Sequence, residues 1–118
     1  MLGDVRPCRP CCLYLLICQS GRSYIGISEF PAVRLQAHQA GRGSFFTRLN
    51  RPAALHHLVW LPSRKIAAHL EWRLKRKRRS AKLAWFAAMA DTSPSQPASL
   101  EAACEALERC SRTLRGDG

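Results

Sequence analysis

Four side chains with chemistry to offer stand near one another early in the chain: Tyr14, Tyr24, Arg34 and His38. A phenol can hydrogen-bond an anion or pass a proton, an imidazole does both near neutral pH, and the planar fork of a guanidinium can clamp a phosphate. A fifth group, Glu71, is the only acid between Phe30 and Ala90, a window holding thirteen Lys and Arg residues. It is therefore the only plausible protein anchor there for a divalent cation. Each residue alone also has a plainer use. Strand tyrosines are commonly core aromatics, Arg34 suits a solvated helix face, and His38 suits a helix C-terminus. Glu71 stands four residues before Lys75, the favourable order for a surface ion pair.

The local sequence supplies elements able to bring the first four together. Residues 13–18 and 23–28 are short apolar or aromatic runs joined by Gln19-Ser20-Gly21-Arg22, which predicts a β-hairpin. Pro31 suits the first turn of a following helix and Gly41 the residue just past its end. On that helix the i, i+4 spacing places Arg34 and His38 on one face. Two tyrosines, an arginine and a histidine can then converge on one side of the hairpin.

The bulk properties point to a polyanionic partner. The chain has 118 residues, a formal net charge of +11 and a pI near 10.3, with 47% apolar and aromatic residues. That is the size of one domain with a possible appendage, and its basicity favours nucleic acid first and an anionic membrane second. No apolar run reaches the ~20 residues of a membrane span, and the N-terminus lacks the pattern of a signal peptide. A cytoplasmic location with reduced cysteines is the expectation. Cys8, Cys11 and Cys12 cluster, but no Cys or His pair stands at finger-like spacing from them. Cys12 and Cys18 read as small apolar strand residues, and Cys8 and Cys11 as part of a leader.

Along the chain, residues 1–10 read as a loose leader and 11–90 as the main domain. Residues 91–99 read as a linker, and 100–115 as a C-terminal helix. Residues 41–52 form a basic connection suited to facing a substrate. Leu55–Leu61 predicts a third strand, interrupted by His56 and His57, one partly buried and the other exposed. Ser63 is an N-cap for a long helix reaching about Arg79, with Ile66, Ala67, Leu70 and Leu74 as its apolar stripe. A second helical piece, Ala81–Met89, has Leu83, Trp85 and Phe86 to bury. The last helix offers Leu100, Ala103, Cys104, Leu107 and Leu114, for docking on the domain or for pairing with another chain.

In this order the residues resemble the GIY-YIG nuclease domain, and within it the small stand-alone bacterial members. Tyr24-Ile25-Gly26 keeps the second motif intact, with Gly26 its structural glycine. Cys12-Leu13-Tyr14 keeps only the tyrosine of the first, nine residues before Tyr24. Arg34, His38 and Glu71 stand where the family carries its catalytic arginine, its histidine or tyrosine, and its metal-binding glutamate. Thr47-Arg48 and Arg51-Pro52 resemble the T-R-x-x-R-P stretch of the stand-alone subgroup. The similarity spans about Leu13 to Lys82. It implies an α+β fold, a small three-stranded antiparallel sheet flanked by helices, here followed by the C-terminal helix.

The resemblance also implies a function: a metal-dependent endonuclease using one Mg²⁺ or Mn²⁺ held by Glu71, with no small-molecule cofactor. Tyr14 would act on the attacking water, Tyr24 would orient water or phosphate, and Arg34 would clamp the phosphate. His38 would hydrogen-bond Tyr14 or the phosphate. Arg48, Arg51, Lys75, Arg76, Arg78 and Arg79 are candidate nucleic-acid contacts, which position a backbone without reading sequence. DNA recognised by structure is the expected substrate. The alternatives are a weak or inactive nucleic-acid-binding module on the same fold, and a basic adaptor whose C-terminal helix takes a protein partner or makes a dimer. Two departures bear on this: Cys12 replaces the first motif's glycine, and no asparagine follows Asn50 to stand for the family's late phosphate contact.

Overall fold

The computed structural model describes residues 9–41 and 52–116. A hairpin of β1 (Cys11–Cys18) and β2 (Ser23–Ser28) leads into α1 (Pro31–Gln39), and β3 (Pro52–Leu61) completes the sheet. The helices α2 (Arg64–Lys75), α3 (Arg79–Ala88) and α4 (Leu100–Gly116) follow. The sheet is antiparallel in the order β2-β1-β3, so β1 is central. The fold is the α+β class that the sequence predicts, three antiparallel strands flanked by helices.

Local chemistry sets the boundaries. Gly21 takes φ +88° in the hairpin turn, where its N–H donates to the Cys18 carbonyl and closes the loop. Pro31 opens α1. Gly41, at φ +81°, ends it by donating to the His38 carbonyl. The Ser63 hydroxyl accepts from the Ile66 N–H and caps α2. The helix expected to run to Arg79 stops at Lys75: the Arg76 and Lys77 N–H groups bond back three residues, and Arg78 is extended. A continuous helix would stack the cations of residues 75–79 at i, i+3 and i, i+4, which is unfavourable. The turn instead starts α3 two residues before the expected Ala81.

The two faces of β1 enter different environments. Cys11, Leu13 and Leu15 point to the face covered by α2, α3 and α4, against Leu70, Leu74, Trp85, Phe86 and Leu107, all fully buried. Cys11 is therefore not part of a leader: it pairs with Leu61 and opens β1, where its small apolar side chain is buried. Burying each large apolar side chain there is worth about 1.5–3 kcal/mol. Cys12, Tyr14 and Leu16 point the other way, beside Tyr24, Leu35 of α1, Leu58 and Trp60. Alternation along one strand thus divides structural core from candidate site.

The C-terminal helix packs onto the domain. Ala103, Ala106 and Leu107 are buried, the Trp85 indole donates to the Ala103 carbonyl at 3.0 Å, and the Arg73 guanidinium donates to Cys104 Sγ at 3.3 Å. Leu100, expected on the apolar stripe, is instead 39% exposed. Residues 91–99 are tied to β3, where the Trp60 N–H donates to Thr92 Oγ1 and the Ala98 N–H donates to the Trp60 carbonyl. These bonds satisfy backbone groups at a sheet edge. Among the described residues no helix is long and apolar enough to cross a membrane.

Candidate active site

The central strand and α1 bring the predicted tyrosines and histidine together. Tyr14 pairs with Gly26 across the hairpin, and its neighbour Leu16 pairs with Tyr24, so both tyrosines share the α1 face of the sheet. From α1, His38 reaches them: its Nε2 lies 2.8 Å from the Tyr14 hydroxyl. Ring centroids are 6.4 Å apart for Tyr14 and Tyr24, 5.8 Å for Tyr14 and His38, and 5.2 Å for Tyr24 and His38. His38 is completely buried and Tyr14 nearly so, whereas Tyr24 and Arg34 are half-buried and reach the surface.

Gly26 explains why the second motif needs a glycine. Its φ is unexceptional, but a Cβ there would overlap the Tyr14 phenol at its hydroxyl and Cζ. The missing side chain is the space Tyr14 occupies.

Electrostatics set the protonation states. Burial pushes the Tyr14 phenol up to about 12, with Tyr24 adding to the rise, while Arg34 pulls the other way through hydrogen bonding and its charge. Burial, reinforced by the Arg34 charge, lowers His38 from its ordinary value. At neutral pH the pair is a protonated phenol against a neutral imidazole. Burial also raises the thiols of Cys11, Cys12 and Cys18, that of Cys12 to about 12, so these cysteines are poor nucleophiles.

Glu71 and Lys75 lie on α2, which packs on β1 and β2 from the opposite face of the sheet. Their charges are 3.4 Å apart, and the Lys75 ammonium sits 6.0 Å from the Tyr24 ring centroid. Lys75 therefore stands between the Glu71 carboxylate and the Tyr24 ring. Lys75, expected from the sequence to contact a nucleic-acid backbone, instead pairs with Glu71 and lies beside Tyr24. The i, i+4 spacing of Glu71 and Lys75 is the sequence signal for that pair. Among the described residues no three His, Cys, Asp or Glu side chains are grouped to hold a metal. The donor set is one carboxylate, 23% exposed, which fits a Mg²⁺-like ion completed by water and phosphate oxygens.

The remaining basic residues divide. Arg76 and Arg78 are exposed where α2 turns into α3. Arg79, predicted as a nucleic-acid contact, donates to the Gly21 carbonyl at 2.7 Å and ties α3 to the hairpin turn. Arg48 and Arg51 lie outside the described residues, as do Cys8 and the His56 side chain; His57 is partly buried, 6.3 Å from Phe86 between ring centroids.

Comparison with known proteins identifies the family. Residues 10–84 match the GIY-YIG catalytic domain. The chain belongs to the GIY-YIG family, a family of nucleases. It is 42% identical over 91 residues to a UPF0213 protein of Xanthomonas axonopodis pv. citri (strain 306), covering 76% of this chain and 89% of that one. A UPF0213 protein of Xanthomonas campestris pv. campestris (strain 8004) is 41% identical over 80 residues, covering 68% and 78%. One from Streptococcus sanguinis (strain SK36) is 38% identical over 74 residues, covering 63% and 85%. The alignments cover most of the length of each of these relatives. No solved structure matches the chain significantly.

Proposed function

We propose that this GIY-YIG protein is a divalent-metal-dependent endonuclease that hydrolyses phosphodiester bonds in DNA, selecting structure over sequence. The observation that carries the reading is the buried Tyr14–His38 bond beside Tyr24, with Arg34 on the same helix as His38. Arg34 clamps the scissile phosphate and offsets charge building on its oxygens. Tyr14 is a poor base alone, because burial holds its proton. Neutral His38, in the tautomer with Nε2 unprotonated, can take that proton as Tyr14 takes one from the attacking water. Tyr24 orients water or phosphate at the surface. Glu71 would hold Mg²⁺ or Mn²⁺, which supplies Lewis-acid stabilisation to the phosphoryl oxygens. With cations on the adjoining surface and no recognition module among the described residues, backbone contact dominates binding.

The test is cleavage of supercoiled, single-stranded and branched DNA with Mg²⁺ or Mn²⁺. Glu71→Ala should abolish cutting and keep binding. Cutting untouched by Glu71→Ala would sink the assigned mechanism. Binding without cleavage of any DNA or RNA would instead identify a non-catalytic module.

A further inference from the structure

The outer surface of α2 carries one large side chain that neither the core nor the tyrosine cluster uses. Trp72 is 60% exposed and directly follows Glu71. One turn later the Arg76 guanidinium carbon stands 4.8 Å from the Trp72 ring centroid, a cation–π stack. Trp72, Arg73, Arg76 and Lys77 line an open groove of about 330 Å³. Its Arg73 wall is braced by the bond to Cys104. The fold does not require an indole here, since α2 already buries Ala67, Leu70 and Leu74 on its inner face.

We infer that Trp72 and Arg76 form a stacking platform for an unpaired base, so that the preferred substrate presents a single strand or flap across α2. Three observations carry this. An exposed indole offers a π-face that any base can cover, and an arginine over it extends the platform. The groove holds three cations, and none of its lining residues is acidic. Such charge selects a polyanionic occupant over an apolar protein face. A base within a duplex is stacked on both sides and has no face to give, so the partner is unpaired. Glu71 and Trp72 are consecutive on α2 and point about 100° apart, so a strand lying on the platform would pass beside the candidate site. That last step rests on the nuclease reading; the stacking itself does not.

The experiment measures binding without metal, so that no cleavage is needed. Full-length protein is titrated at fixed salt with an oligothymidylate, an abasic chain of the same length, and a duplex. The oligothymidylate should bind roughly 5- to 100-fold more tightly than the abasic chain. Trp72→Ala should remove that difference and leave duplex affinity nearly unchanged, while Trp72→Phe keeps most of it. Indole fluorescence should be quenched by oligothymidylate in the natural protein and far less in Trp72→Phe, where Trp60 and Trp85 remain. Equal affinity of the natural protein for oligothymidylate and abasic chain would overturn the platform. So would equal losses for single strand and duplex in Trp72→Ala. A concentration-dependent dimer abolished by Trp72→Ala, with oligonucleotide binding intact, would overturn it by assigning the face to a second copy. A protein that passes these tests yet never cleaves retains the platform and loses only the nuclease reading.

Discussion

The Tyr14 hydroxyl lies 2.8 Å from Nε2 of His38, inside the protein, between a central strand and the helix that follows the hairpin. Burial disfavours the ionised form of each partner, so the bond joins a neutral phenol to a neutral imidazole. Removing the hydroxyl with Tyr14→Phe should cost about 1 kcal/mol of stability. Cleavage should fall by ~10²–10⁴ if the phenol handles the water's proton. Denaturant titration and single-turnover cleavage measure the two effects separately.

His38 also predicts a pH dependence. Its folded pKa is lowered, so between that value and the ordinary one near 6.5 the unfolded chain binds the proton and the folded chain does not. Stability should therefore be full above about pH 7 and fall as the pH drops below ~6.5, levelling off beneath the folded value. Urea unfolding between pH 7.5 and 5 should show this slope, and His38→Gln should flatten it.

Gly26→Ala tests the close approach of Gly26 to Tyr14. The added methyl group meets the phenol at its hydroxyl and Cζ, an overpacking worth about 1–3 kcal/mol. Because Tyr14→Phe removes the nearest of those atoms, the two substitutions should be less than additive in unfolding free energy. Strict additivity would show that the methyl is accommodated elsewhere.

Lys75 and Arg78 should behave differently although both belong to one basic run. Lys75 pairs with Glu71 beside Tyr24, whereas Arg78 is exposed beyond α2. Lys75→Ala should lower kcat while costing only about 0.3–0.5 kcal/mol of stability, as for exposed i, i+4 pairs. Arg78→Ala should weaken binding, reduce its salt dependence and spare kcat. Steady-state kinetics at two salt concentrations distinguish them.

The docking of α4 makes a stability prediction. Leu107 is fully buried in the core shared with Trp85 and Phe86, so Leu107→Ala should cost about 2–5 kcal/mol. Glu105→Ala, on the exposed side of α4, should change stability by less than ~0.5 kcal/mol. An adaptor role would have to use that outer side, because the apolar side is taken.

The sequence by itself determined the hairpin, the start and stop of α1, and the pairing of Arg34 with His38 on one helix. These follow from turn residues, proline and glycine placement, and helical periodicity, which act over a few residues. It also marked Glu71, because a lone acid among thirteen cations is a property of composition. Only the tertiary structure decided which face of β1 Tyr14 takes, since a strand apolar on both sides carries no alternation to read. The same holds for Arg79, whose partner at Gly21 is 58 residues away, and for the Trp85 indole against Ala103. It holds as well for Trp72, left in water while the other side of α2 is buried. A side chain's distant partner is chosen by which surfaces the packed elements hide from solvent, and no local pattern records that choice.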